Sequence, residues 1–335
     1  MKLNPTKTRV YVAGRSGGHI IPCATIARED ALQGYKTIFV ITNSPLDKKI
    51  IDQYAFLDTV ARVNVARKAG FWGLLLFIGQ LFYSFIQSIR LLLATRPERV
   101  ISSGGYIAIP VCFAAWILRI PVELYELNVV PGKAIRLVSK IAETTHICFK
   151  ETKKYLPRGV LGTYPVRFTS QDLIDPAKAR ETLGLEKNKK TIVILGGSQG
   201  SQFLNTLIIS WLKAYPVELS TLQIVHQSGT QDLFFLKTMY AELGVKALVF
   251  DFKADMHYVY SAANIIIARA GAGTLFEINF FKKRSIIIPL EASTTDHQVD
   301  NAYAMASEHP NYFMVLRQAQ ATPEVLNKAI IDVWD

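Results

Sequence analysis

Short apolar runs rich in β-branched residues alternate along this chain with stretches long enough to be helices. Residues 8–13, 37–42, 100–102, 121–125 and 146–149 are such runs in the first half. Residues 191–195, 222–226, 247–250, 265–268 and 285–289 are their counterparts in the second. The runs are nearly continuous rather than alternating, which predicts strands buried on both faces. The helix-length spacers between them predict parallel sheets with helices on either side. The fold class expected is therefore α/β. No low-complexity tract interrupts the pattern.

The two halves echo one another. The first run leads into Gly14-Arg15-Ser16-Gly17-Gly18, and the run at 191–195 leads into Gly196-Gly197-Ser198-Gln199-Gly200. Each reads as strand, glycine-rich turn and helix, the opening of a Rossmann-like domain. A length of 335 residues suits two domains at roughly 100–200 residues each. Proline and glycine gather between Leu156 and Pro176, which places the linker near residues 160–170. The division expected is 1–163, 164–310, and a last helix over 311–335 packing back on the first domain. Two such domains would face each other across a cleft at the carboxyl ends of their sheets.

Composition narrows the picture. Half of the residues are hydrophobic and 19% are charged, which excludes disorder as the main state. Three scattered cysteines, Cys23, Cys112 and Cys148, fit neither a disulfide framework nor a metal knuckle and suggest a reducing compartment. The first nine residues are polar and basic with no apolar stretch, so no secretory signal is read there and a cytoplasmic location is expected. The net charge of +11 is lopsided: residues 1–165 hold 22 Lys+Arg against 10 Asp+Glu, and residues 166–335 hold 16 against 17. The first half is thus expected to face something anionic, a membrane surface or a nucleic acid, unless it is simply a solvated basic face.

Residues 69–89 carry no charge, and the stretch to Leu93 is rich in Leu, Ile and Phe. Its length would allow a membrane span. Gln80, Ser84, Gln87 and Ser88, however, recur on one helical face, with Arg62, Arg67 and Lys68 before the stretch and Arg90 in it. A helix lying in a bilayer interface fits that pattern better than a span, with an ordinary core helix as the alternative.

Candidate chemistry sits at the carboxyl ends of the strands. A glycine-rich turn opening a helix offers backbone N–H groups and the positive end of the helix dipole, a seat for phosphate. Neither turn matches G-x-G-x-x-G, which argues against a dinucleotide site. Gly17-Gly18-His19 puts a titratable group at the first turn, where a base role is reasonable although lone histidines are more often structural. Gly104-Gly105-Tyr106 is a third such turn, and Glu126 and Asn128 follow the strand at 121–125. In the second half Arg269-Ala270-Gly271-Ala272-Gly273-Thr274 leads into a helix carrying Glu277, a carboxylate able to hold a ribose or else to cap a helix. Asp296-His297-Gln298 and Asn301 form a polar cluster after the run at 285–289. The six histidines show no metal-ligand spacing, so no metal is expected.

Taken together these motifs resemble the MurG family, the peptidoglycan N-acetylglucosaminyltransferases of two-Rossmann, GT-B fold. The segments that carry the resemblance are Gly14-Arg15-Ser16-Gly17-Gly18-His19-Ile20-Ile21-Pro22, Ser103-Gly104-Gly105-Tyr106, Glu126-Leu127-Asn128 and Pro165-Val166-Arg167. They continue with Gly196 to Gly200, His226-Gln227-Ser228-Gly229, Asp255-Met256, Arg269 to Glu277, and Asp296-His297-Gln298 with Asn301-Ala302. They follow family order over nearly the whole chain.

The resemblance implies inverting transfer of GlcNAc from UDP-GlcNAc to the 4-hydroxyl of MurNAc in undecaprenyl-diphospho-MurNAc-pentapeptide, giving lipid II. It implies a donor site in the second domain: Glu277 on the ribose, Arg167, Ser198 and Gln199 at the diphosphate, and His297 and Gln298 on the GlcNAc hydroxyls. Lys253, Ala272, Gly273 and Thr274 would complete it. The acceptor would meet Ser16, Gly17, Gly18, His19, Tyr106 and Asn128, with His19 as base and Glu126 as second choice. No metal and no cofactor are called for. The first domain would rest peripherally on the cytoplasmic face of the inner membrane, against its anionic surface. A wall-synthesis complex is a further partner the resemblance allows, and nucleic acid is not expected.

Several positions depart from the family pattern: Arg15 in the first turn, Tyr125 and Leu127 around Glu126, Ile135, Tyr164 before Pro165, Ala270, and Lys253 where an apolar residue would pass the uracil. Most of those near 125–135 touch the acceptor side. They leave two rivals, a GT-B transferase using another UDP-sugar or lipid-linked acceptor, and a membrane-bound nucleotide-binding protein without catalysis.

Overall fold

The computed structural model describes residues 7–14, 16–63, 71–197, 199–216, 221–291 and 297–334, with side chains left out at 71–75. Two compact units divide the chain, Met1–Arg167 and Phe168–Asp335. The boundary falls inside the stretch read as the linker.

The first unit runs β1 (Thr8–Val12), α1 (Gly17–Leu32), β2 (Lys36–Ile41), α2 (Pro45–Ile51), β3 (Thr59–Arg62), α3 (Phe71–Thr95), β4 (Arg99–Ser102), α4 (Ala108–Ile117), β5 (Val122–Glu126), α5 (Lys133–Val138), β6 (Thr144–Ile147) and β7 (Val160–Leu161). Its seven strands lie in the order β3-β2-β1-β4-β5-β6-β7, every pairing parallel. Val10 of β1 pairs with Ile38 on one side and Val100 on the other. The two-residue period of the strand then sends Val10 and Val12 into one core with Leu92, Val111 and Ile135, and Tyr11 and Ala13 into another with Ile20, Cys23 and Ile50. This is why β1 shows no alternation of apolar and polar residues.

The second unit repeats the plan with α6 (Pro176–Thr182), β8 (Lys190–Leu195), α7 (Gln202–Ala214), β9 (Leu222–Gln227), α8 (Leu233–Glu242), β10 (Ala247–Phe250), α9 (Met256–Ala262), β11 (Ile265–Ala268), α10 (Ala272–Phe280), β12 (Arg284–Ile287), α11 (His297–Glu308), β13 (Phe313–Val315) and α12 (Pro323–Trp334). Its six parallel strands lie in the order β10-β9-β8-β11-β12-β13. In each sheet the chain reverses direction once, between β1 and β4 and between β8 and β11. Open α/β sheets bind ligands in the crevice at such a switch point, beyond the carboxyl ends of the strands.

The end of the chain differs from expectation. Leu326, Ile330 and Val333 of α12 are buried with Trp211 in the core of the second unit. Trp211 Nε1 donates to Asn327 Oδ1 at 3.0 Å, and Arg284 Nη1 donates to the Val333 carbonyl at 2.7 Å. The helix thus spends its apolar face on its own unit.

The long apolar stretch is one helix, α3, but its faces are the reverse of the usual surface helix. Ser84 and Ser88 are fully buried, while Leu76, Ile78, Phe82 and Tyr83 are all more than half exposed. α3 packs along α4, and Ser88 satisfies its hydroxyl by donating to the Ser84 carbonyl at 2.6 Å. The polar stripe therefore marks the inward face. By length and composition α3 could cross a membrane, and only 17% of its segment Leu76–Thr95 is buried. The basic flank at Arg67 and Lys68 lies outside the described residues. All three cysteines are buried and free, and burial pushes the Cys23 and Cys148 thiols up to about 12, so they stay protonated.

Candidate active site

The first switch point gathers the turn after β1 and the turn after β4. Ser16, with extended backbone, caps α1, and Gly17 and Gly18 open it. Pro22 has no N–H, so the Gly18 carbonyl lacks the donor that a regular helix would supply from that position. Gly14 has no room for a side chain: a Cβ there would stand 2.9 Å from Asp47 Oδ2 and 2.9 Å from Thr42 Cγ2. Arg15 lies outside the described residues.

His19 is tied to the opposite turn by two bonds. Its Nδ1 lies 2.9 Å from the Ser103 carbonyl, and Ser103 Oγ donates to the His19 carbonyl at 2.8 Å. A carbonyl can only accept, so Nδ1 must carry the proton and the lone pair of the neutral ring is on Nε2. That is the tautomer a general base needs. Gly104 at φ +104° and Gly105 at φ +83° form the turn that brings Ser103 there, a conformation that favours glycine. Tyr106 follows, its ring edge-on to Phe77 of α3 at 5.6 Å. The sequence motif contained Ser103, but nothing in the pattern marked its carbonyl as the orienting group.

Glu126 is placed differently from a base. It is 2% exposed, its Oε1 accepts from Asn128 N at 2.9 Å and Nδ2 at 3.2 Å, and its Oε2 accepts from Gly132 N at 3.1 Å. Both oxygens hold the loop from β5 to α5, and Asn128 is drawn into the same knot. Burial pushes the Glu126 carboxyl up to about 7 against the pull of these donors. The geometry makes it a loop anchor.

The second switch point joins the turns after β8 and β11. Gly200 at φ +77° and Gly229 at φ +76° interlock: a Cβ on Gly200 would stand 2.3 Å from the Ser228 carbonyl oxygen. Two backbones meet here with nothing between them, leaving Gln199 exposed at the rim. Ser198 lies outside the described residues. Ser201 caps α7, accepting from Leu204 N, and also accepts from Arg269 Nε at 2.9 Å. Arg269 Nη1 reaches the Ile288 and Pro289 carbonyls at 3.1 and 3.2 Å. Burial draws its guanidinium down to about 10, still cationic near neutral pH, so a fixed positive charge lies beneath the N-terminus of α7.

From the turn after β11, Ala272, Gly273 and Thr274 form the first turn of α10, whose N–H groups have no helical partners. Glu277, one turn on, is buried, and its Oε2 accepts from Tyr260 OH at 2.6 Å. The sequence gave no sign of Tyr260, which comes from α9. Gln298 Oε1 accepts from both Ala270 N at 3.1 Å and Leu290 N at 3.0 Å, which turns its amide nitrogen away from those two donors. His297 Nδ1 is buried with no hydrogen-bond partner among the described residues. Asp296 lies outside them.

Gln298 is thus bonded to the turn that opens α10, the helix that carries residues 272–274 and Glu277. Lys253 stands after the edge strand β10, 3.4 Å from Asp255 Oδ2. Arg167 closes the first unit, where its carbonyl accepts from Arg28 Nη2 at 3.4 Å. His226, part of a motif, is a core residue: its ring contacts Tyr240 OH and Asn205 Oδ1, and burial draws it down to about 3.

Comparison with known proteins matches this division. Residues 10–147 match the glycosyltransferase family 28 N-terminal domain, and residues 191–334 match the family 28 C-terminal domain. A protein of Protochlamydia amoebophila (strain UWE25) is 32% identical over 334 residues, covering 97% of this chain and 87% of that protein. One of Myxococcus xanthus (strain DK1622) is 29% identical over 328 residues, covering 96% and 83%. Both are named UDP-N-acetylglucosamine--N-acetylmuramyl-(pentapeptide) pyrophosphoryl-undecaprenol N-acetylglucosamine transferase. The crystal structure of Acinetobacter baumannii MurG aligns with a TM-score of 0.73 at 25% identity, over 99% of this chain and 91% of that one. With both domains matched in order and the relationship running through nearly all of its length, the chain belongs to the MurG family of glycosyltransferase family 28.

Proposed function

We propose that the chain transfers N-acetylglucosamine from UDP-GlcNAc to the 4-hydroxyl of MurNAc in undecaprenyl-diphospho-MurNAc-pentapeptide, with inversion, making lipid II for peptidoglycan. The observation that carries this reading is the extent of the relationship: identity of 32% runs over 97% of the chain, so donor and acceptor halves are retained together. In this reading the second unit holds the donor, with Glu277 on the ribose hydroxyls and the α7 turn, Gln199, Ser198 and Arg167 at the diphosphate. Ala272, Gly273 and Thr274 offer N–H donors, Gln298 and His297 meet the sugar, and Lys253 lies toward the base. The first unit offers Ser16, Gly17, Gly18, Tyr106 and Asn128 to the acceptor.

Inversion by a single displacement needs an alcohol relieved of its proton and a stabilised leaving group. His19 Nε2 takes the proton, with Nδ1 held by Ser103. The α7 dipole and the buried Arg269 favour the charge that develops on departing UDP. Mass spectrometry of a short-chain acceptor analogue after incubation with UDP-GlcNAc tests the reading. A gain of one N-acetylhexosamine is expected, and an unchanged mass contradicts it. One observation favours a modified acceptor. Ile135, where an asparagine is expected, is buried, and its Cγ1 lies 3.2 Å from where a Cβ on Gly104 would stand, so an apolar side chain lines the turn that orients His19.

We further place the enzyme peripherally on the cytoplasmic face of the inner membrane through α3. Its exposed Leu76, Ile78, Phe82 and Tyr83, together with Trp116 and Ile117 at the end of α4, make an apolar surface on the basic half of the chain. Phe82→Ser with Trp116→Ser is expected to weaken sedimentation with anionic vesicles at least about tenfold, since a buried aromatic is worth roughly 1.5–3 kcal/mol. Added salt should weaken it further. Binding that is unchanged in the double variant would put the contact elsewhere.

A further inference from the structure

The helix that exposes its apolar face and the turn that orients His19 meet through a pair of rings. Phe77 on α3 meets the Tyr106 ring edge-on, with centroids 5.6 Å apart and planes at 82°. Tyr106 ends the Ser103-Gly104-Gly105-Tyr106 turn. Both glycines of that turn have positive φ, so its path is set by what anchors its ends. One end is fixed by Ser102 Oγ, which donates to the Val12 carbonyl at 2.9 Å and accepts from Gly104 N at 3.1 Å. At the other end the aromatic pair holds Tyr106 against α3. Between them lies the Ser103 carbonyl that fixes the His19 tautomer.

We infer that Phe77 is a positioning residue for the acceptor side: through Tyr106 it holds the turn that orients His19, and so couples α3 to the reaction centre. The inference rests on the function proposed above and adds to it a residue outside every motif. The two rings meet nearly at right angles, a directional contact that an aliphatic side chain of similar size does not reproduce.

The test is steady-state transfer to a soluble short-chain acceptor analogue, with UDP-GlcNAc affinity measured separately by calorimetry. Phe77→Leu keeps apolar bulk and removes the ring, whereas Phe77→Tyr keeps the ring. Phe77→Leu is expected to lose about threefold to tenfold in kcat/KM for the acceptor, the range an edge-to-face pair supports, with donor affinity unchanged. Phe77→Tyr is expected to restore it. A Phe77→Leu enzyme equal to the parent overturns the inference, as does equal loss in acceptor use and donor affinity, which would signal general loosening. A parent chain with no acceptor turnover overturns the functional reading, and the inference with it.

Discussion

Replacing His19 with alanine is expected to lower turnover by about 10²–10⁴, the range for loss of a general base, while leaving UDP-GlcNAc affinity near that of the parent. The split follows from placement. His19 belongs to the switch point of the first unit, where its Nδ1 proton is committed to the Ser103 carbonyl at 2.9 Å and its lone pair is on Nε2. Glu277 and Gln298, proposed for the donor, belong to the second unit. Initial rates and calorimetry on the same preparation check both halves of the statement. A variant with the parent rate would move the base elsewhere. Glu126 would not be the natural heir, because its two oxygens already hold the backbone of residues 128–132.

Glu277→Ala is expected to weaken UDP-GlcNAc binding by about tenfold to a hundredfold, as hydrogen bonds to a charged group are worth roughly 1.5–3 kcal/mol. The carboxylate is buried and oriented by the Tyr260 hydroxyl at 2.6 Å. Tyr260→Phe is a useful companion, since it removes the orienting bond and keeps the carboxylate. Its loss of affinity should be smaller than that of Glu277→Ala. Calorimetric titration with UDP-GlcNAc reads both, and an unchanged Glu277→Ala affinity would sink the ribose assignment.

All ten runs read as strands are strands, because each is buried in the interior of a sheet or, in the case of β10, keeps an apolar face. The three strands that hydropathy did not reveal, β3, β7 and β13, all lie at sheet edges. They are four, two and three residues long, too short to stand out as runs, and three of the four residues of β3 and both of β7 are exposed. The stripe of Gln80, Ser84, Gln87 and Ser88 was legible as one face of a helix, but its direction was not. Periodicity separates two faces, and only tertiary packing, which buries Ser84 and Ser88, decides which is inside. At the proposed sites, the glycine turns and strand ends were legible in the sequence. They did not show that Glu126 is consumed by its own loop, that Tyr260 reaches Glu277, or that Arg269 ties the N-cap of α7 to the carbonyls after β12. The Tyr260 and Arg269 bonds join residues distant in sequence, and the Glu126 bonds, though local, belong to no motif that marks them.

The measurement that bears most directly on the function is release of UDP from UDP-GlcNAc, followed with and without a short-chain lipid-linked MurNAc-pentapeptide analogue. Release that depends on the acceptor, and that falls in His19→Ala without loss of donor binding, is the predicted result. Binding of UDP-GlcNAc with no acceptor-dependent release would contradict transfer to this acceptor, leaving the donor site without the reaction assigned to it.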